Sequence, residues 1–241
     1  MKLSFSWPDR RPIGILHVAS SGLVSAENEY GWLFLHPKYN AYPTLIEKIN
    51  AYIDECLGVL HELNAQGMWV QNCEGHKDTD HYLGSPEIKT PFTPYAGMFF
   101  KRFRDHGYKV GCCIRHDSTT GEQTPNALDK LFQKIHFARY ESKWGCKIFY
   151  FDSNGPHQYA PLPADYFHWL RRAYEDCLFV PEHGGSDYHQ WTARYRELRP
   201  EGGGFTGTAE DVRTACTGAF SVLNVSVDPA VLEANEAELV A

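Results

Sequence analysis

The sequence predicts an α/β fold, a (β/α)8 TIM-type barrel that is either complete with short connections or lacks a unit. Three observations carry that expectation. Helix-like and strand-like segments alternate along the chain, which is the pattern of stacked βα units. The strand-like segments are apolar nearly throughout, as parallel strands covered on both faces are. Units ending at Glu74, Arg115, Asp152 and Glu182 recur at intervals of 41, 37 and 30 residues, the size of a strand plus its helix. A barrel takes about 250 residues, so a chain of 241 closes one with short loops. The competing open, doubly wound sheet wants a glycine-rich phosphate loop after its first strand. Ala19-Ser20-Ser21-Gly22 lacks the GxGxxG spacing.

The elements follow in order. Residues 13–18 form the first strand. Leu45, Ile49, Ile53, Cys56, Leu60 and Leu63 recur in steps of three and four over residues 43–63, one buried helical face. Pro43 suits its first turn and Gly67 lies just beyond its end. Residues 68–73 form the next strand. Phe99, Phe100 and Phe103 mark a helix that stops at Gly107, followed by a strand over 108–114. Leu128, Leu131, Phe132, Ile135 and Ala138, opened by Thr124-Pro125, precede a strand over 147–151. Tyr166, Phe167, Leu170, Ala173 and Tyr174 precede a strand over 177–180. A short strand is expected at 195–198, a capping box at Thr208 to Asp211, and a last strand over 219–227. Residues 1–227 are thus expected to form one domain and 228–241 an acidic tail.

Composition excludes several classes. With 43% hydrophobic residues, 6 Trp, 14 Tyr and 14 Phe, the chain is not disordered. No apolar run approaches the roughly 18 residues of a membrane helix. A net charge of −7, without a run of either sign, argues against binding a phosphate backbone. No apolar stretch follows the charges of residues 1–11, so no secretory signal is read and a cytoplasmic location is expected. The 7 cysteines form no CxxC pair and read as buried, reduced thiols.

The chemistry sits at the strand ends. Glu74, Arg115 with Asp117, Asp152, and Glu182 with His183 each follow an apolar strand at its C-terminal end. A barrel gathers those ends on one face, where its loops build the site. A carboxylate placed directly after a buried strand is costly unless it is hydrogen-bonded or used. Paired carboxylates suit glycoside hydrolysis, one protonated to release the leaving oxygen, the other ionised to attack carbon or activate water. Neighbouring negative charge from Glu74 raises one carboxyl pKa, and Arg115 holds the other down. Trp69, Tyr150 and Tyr188 offer flat apolar surface near these ends, with Tyr82, Tyr159 and Trp191; Asn154 and His183 offer hydrogen bonds. The expected partner is an oligosaccharide or polysaccharide, with no cofactor, no metal, no nucleic acid and no membrane; an oligomer or larger assembly stays open.

Two other readings compete. Glu74, His76, Asp78, Asp80 and His81 lie within eight residues, and His183, Asp187 and His189 form a second cluster. Such ligands suit zinc or manganese and metal-assisted hydrolysis, although neither cluster has HExxH or EF-hand spacing. A barrel without catalysis, binding sugar or serving in an assembly, is the other. His17 and His136 read as ordinary core or surface residues.

The runs Gln66-Gly67-Met68-Trp69-Val70 to Glu74-Gly75, Phe99 to Asp105 with Gly111-Cys112-Cys113-Ile114-Arg115, Phe149-Tyr150-Phe151-Asp152-Ser153-Asn154, and Val180-Pro181-Glu182-His183 form a set. As a set they resemble a group of microbial TIM-barrel proteins similar to glycoside hydrolases, over residues 30–227. The resemblance implies the barrel and a carbohydrate-active site, with Glu74, Asp152 and Glu182 as the matching acidic positions. The order of strand ends is also similar to α-amylase-like barrels, which place a nucleophilic Asp after strand four and an acid Glu after strand five. That likeness implies Asp152 as nucleophile or electrostatic stabiliser and Glu182 as general acid/base.

Overall fold

The computed structural model describes residues 11–17, 37–71, 93–115, 140–152, 162–181, 195–197 and 220–224, with Trp7, Asp9 and Ala138. Seven strands form one sheet: β1 (Ile13–His17), β2 (Gly67–Gln71), β3 (Lys109–Arg115), β4 (Cys146–Asp152), β5 (Leu178–Pro181), β6 (Tyr195–Glu197) and β7 (Phe220–Asn224). The order is β5-β4-β3-β2-β1-β7-β6, and each of its six neighbouring pairs is parallel. Each strand from β1 to β4 lies beside its successor, and the last strand, β7, returns beside β1. A doubly wound sheet would place the next strand in sequence there. The observed order is not that of a doubly wound sheet, and β5 and β6, at its two edges, are not paired among the described residues. The fold is α/β with a parallel sheet, as the alternating pattern predicts; the described residues show seven of its strands and not a complete eight-unit barrel.

The helices form where the spacing places them. Helix α1 (Leu45–Glu62) buries Ile49, Tyr52, Ile53, Cys56, Val59 and Leu60. Thr44, not Pro43, starts it: the Thr44 hydroxyl accepts from the Glu47 amide and the Glu47 carboxylate accepts from the Thr44 amide, a reciprocal capping box. Its end also differs from expectation. Asn64, at φ 49°, closes a Schellman turn in which Ala65 N donates to Leu60 O and Asn64 N to His61 O. Gly67 is freed for another purpose: a Cβ there would lie 2.4 Å from the Lys109 carbonyl oxygen, so glycine lets β2 approach β3.

Helix α2 (Ala96–Asp105) buries Ala96, Phe99, Phe100 and Phe103 and packs on α1 through Tyr52 and Phe99, stacked at 6.4 Å. It ends in the same Schellman geometry, with Gly107 at φ 85° and Tyr108 N donating to Phe103 O at 3.1 Å. Gly107→Ala is expected to cost about 1 kcal/mol, because alanine resists a left-handed backbone. Thermal denaturation would show a fall of about 2–4 °C for a chain of this size. Helix α3 (Ala164–Ala173) buries Tyr166, Phe167 and Leu170. Residues 140–144 are helical too, the end of the segment expected before β4. The rest of that segment, the expected capping box at 208–211 and the acidic tail lie outside the described residues. Cys56, Cys112, Cys113, Cys146 and Cys177 are buried thiols outside any disulfide. No described helix is long and apolar enough to cross a membrane.

The N-terminal ends of the strands are tied together by structural contacts. Gln66, 1% exposed, accepts from Trp7 Nε1 at 2.7 Å and donates to the carbonyls of Asp9 and Arg11. Its buried amide is thus used on both sides, which is what makes a polar group tolerable there. Arg11 grips Asp9 through Nε and Nη2 at 3.1 and 2.8 Å, and Lys109 reaches the same carboxylate at 3.2 Å. The Arg11 guanidinium holds the Asp9 carboxyl down to about 2, against partial burial. A carboxyl lowered on folding contributes stability above its unfolded value near 3.8, and loses it as pH falls towards 2. Urea midpoints should therefore drop between pH 4 and pH 2, and Asp9→Asn should flatten that drop by about 1–2 kcal/mol. An unchanged acid limb in the variant would remove Asp9 as its source.

Candidate active site

Strand alternation sorts the β residues onto two faces. Phe151 meets Tyr166 and Phe167 of α3 edge-on, at 6.2 and 5.2 Å, and Phe149 stacks on Phe179 at 6.1 Å. That parity faces the helices. The other parity carries Ile15, Trp69, Cys113, Tyr150 and Val180 on five neighbouring strands, all fully buried. Register joins Ile15 to Trp69, Cys113 to Tyr150, and Tyr150 to Val180.

Two residues further along, four of these strands end. His17 ends β1, Gln71 ends β2, Arg115 ends β3 and Asp152 ends β4. His17 pairs in register with Gln71, and Arg115 with Asp152. Four adjacent strands thus end on a polar or charged residue, the Arg115–Asp152 pair two register positions beyond the His17–Gln71 pair. Pro181 ends β5 opposite Phe151, and Glu182 is the next residue in the chain. Sequence reasoning passed over His17 and Gln71. The signal was present: each is the first polar residue at its strand's inward parity, after Ile13 and Ile15 or after Gly67 and Trp69.

A β-bulge sets this arrangement. Val110 pairs with Cys146 but Gly111 pairs with Ile148, so Lys147 is an extra residue on β4. Every position of β4 beyond it changes parity relative to Cys146. Without the bulge, Tyr150 would fall on the helix-facing side and Phe149 and Phe151 on the other. Close approach at the bulge demands glycine: a Cβ on Gly111 would stand 2.0 Å from the Ile148 carbonyl oxygen.

Of the residues expected in the site, Asp152 and Arg115 are brought to adjacent register positions at the strand ends. Trp69 and Tyr150 lie below that layer, each 0% exposed, their rings stacked 4.8 Å apart at 9°. Glu74, Glu182, His183, Asn154 and Tyr188 lie outside the described residues, as do both histidine-rich clusters. Among the described residues Glu141, Asp176 and Cys177 gather potential metal ligands, at the opposite, N-terminal end of β4 and β5. There Lys147 already bridges the two carboxylates, 2.6 Å from Asp176 and in hydrogen-bond contact with Glu141. Burial pushes the Cys177 thiol up to about 12. An ammonium between two acids beside an un-ionised thiol is a structural ion-pair network.

Neither models of protein families nor curated proteins give a match to this sequence. Solved structures do. A bacterial fucosidase with a monovalent iminocyclitol inhibitor aligns over 95% of this chain and 71% of its own, at 13% identity and a TM-score of 0.53. An α-L-fucosidase GH29 from Bacteroides thetaiotaomicron, trapped as a covalent intermediate with 2-fluoro-fucosyl fluoride, aligns over 95% and 72% at 11% identity and a TM-score of 0.51. α-L-Fucosidase isoenzyme 2 from Paenibacillus thiaminolyticus aligns over 96% of this chain and 49% of its own, at 10% identity and 0.50. At these identities the likeness is one of fold, and the folds matched are those of glycoside hydrolases.

Proposed function

We propose that this chain is a glycoside hydrolase, its residues 1–227 a closed (β/α) barrel and 228–241 a peripheral tail, with Asp152 and Glu182 as its carboxylate pair. The observation that carries the reading is the β4–β5 register. Phe151 faces Pro181, and Asp152 and Glu182 are the residues that follow these two in the chain. Neighbouring parallel strands run about 4.8 Å apart, and a retaining glycosidase needs its two carboxyl groups roughly 5–5.5 Å apart. The polar residues that end the strands support it from the binding side. His17, Gln71 and Arg115, with Asn154, His183 and Tyr188 from the following loops, supply the hydrogen-bonding tips a polyhydroxylated ring needs.

In this reading Asp152 attacks the anomeric carbon while Glu182 gives its proton to the leaving oxygen. The resulting glycosyl ester is then hydrolysed by a water that Glu182 deprotonates, so configuration is retained. Arg115 keeps Asp152 ionised, and Glu74 raises the pKa of Glu182 by like charge. The likeness to fucosidases makes α-L-fucosides the first substrates to try. The test is a panel of aryl α- and β-glycosides, α-L-fucoside included, with NMR of the first anomer released. Cleavage with retention, abolished in Glu182→Gln and restored towards aryl leaving groups that need no proton, is the expected result. A folded protein that cleaves none of them, or a Glu182→Gln variant with full activity on alkyl glycosides, overturns the reading.

A further inference from the structure

The stacked pair beneath the strand ends has a use that the proposed catalysis leaves unexplained. Trp69 is on β2 and Tyr150 on β4, two strands apart, with β3 between them. Their rings meet at 4.8 Å because the β3 residues in register with them are small: Gly111 beside Trp69 and Cys113 beside Tyr150. Ile15 and Val180 flank the pair on β1 and β5, both fully buried. The result is a continuous dry layer across five strands. Tyr150 stands two residues before Asp152 on one strand, and Trp69 two residues before Gln71 on another.

We infer that the Trp69–Tyr150 stack is a positioning element for Asp152, a floor that fixes the end of β4 from below and keeps water out from that side. The inference rests on the glycosidase reading and goes beyond it. It takes two aromatic residues that composition would assign to sugar stacking and gives them a role through Asp152 instead. The physical reason is twofold. Face-to-face rings locked between aliphatic neighbours leave β4 little freedom to slide or tilt, and small misplacement of a reacting group is expensive in rate. A water-free floor also strengthens the interaction of neighbouring charges above it.

The test compares Trp69→Leu and Tyr150→Leu with the conservative Trp69→Phe and Tyr150→Phe, on the best aryl glycoside found for the wild type. The leucine variants are expected to lower kcat about 30-fold or more, with KM within about threefold of wild type. The alkaline limb of their kcat/KM profile should move down by about one pH unit as water reaches the acid. The phenylalanine variants, which keep a ring, should recover most of both. A rise in KM with kcat unchanged would instead make the rings a sugar platform and overturn the inference. So would pH limbs that stay fixed while kcat merely follows the folded fraction, measured by circular dichroism. Wild-type protein that cleaves no glycoside ends the functional reading and this inference together; active wild type with indifferent leucine variants ends this inference alone.

Discussion

Asp152→Asn is expected to lower kcat on an activated glycoside by about 10³-fold or more, with the melting temperature nearly unchanged. The amide has the size of the carboxylate and keeps the end of β4, where Asp152 pairs with Arg115, in register. What it lacks is the negative charge that attacks the anomeric carbon or faces the developing cation. Sodium azide supplies a small external nucleophile, and its addition should restore turnover of aryl glycosides while yielding a glycosyl azide of inverted configuration. Rescue of that kind assigns the missing function to the nucleophile, because a variant damaged in folding or in proton transfer would not give the inverted azide. Full activity in Asp152→Asn, with or without azide, removes Asp152 from the mechanism.

Gly111→Ala is expected to be the most damaging small substitution in the sheet. The new Cβ would stand 2.0 Å from the Ile148 carbonyl oxygen and 2.6 Å from the Ile148 Cβ. Both belong to a neighbouring strand's fixed residue, so the strand itself must shift. Overpacking of this severity costs about 3 kcal/mol or more, a drop of about 6–12 °C at this size. Activity should fall further than folding does, because the strain falls on the bulge that phases Tyr150 and Asp152. Gly58→Ala is the matching control. Gly58 lies on the exposed side of α1, and a Cβ added there would meet nothing within 4 Å, so alanine should stabilise by about 0.5–1 kcal/mol. A neutral Gly111→Ala would mean that the β3–β4 contact is looser than the register implies.

The two substitutions separate what is local from what is not. Helices α1 to α3 and strands β1 to β5 each coincide with a segment of the matching hydrophobic period, because Leu, Ile and Phe at helical steps or in short apolar runs have few other ways to leave water. Helix ends were harder to read. Gly107 ends α2 as its position suggests, whereas Gly67 ends nothing and Asn64 closes α1. Glycine has two uses, a left-handed turn and a close approach, and only the neighbouring strand tells them apart. The capping box at Thr44 and Glu47 was legible as T-x-x-E and outweighs Pro43 as the start of α1. Arg115 and Asp152 were legible as charged strand ends. His17 and Gln71 were not, because a single polar residue after an apolar pair gains meaning only from its neighbours across the sheet.

By itself, then, the sequence determined the α/β class, the parallel strands and the charged residues that end them, since each depends on residues a few positions apart. The tertiary structure alone decided which face those ends occupy. The extra residue Lys147 on β4 lies where Gly111, 36 positions earlier and without a side chain, lets Ile148 approach closely. That one-residue slip carries Tyr150 to the side of Trp69. Parity along a strand is a local count, but its origin is set by contact with another strand, and no spacing within β4 contains it.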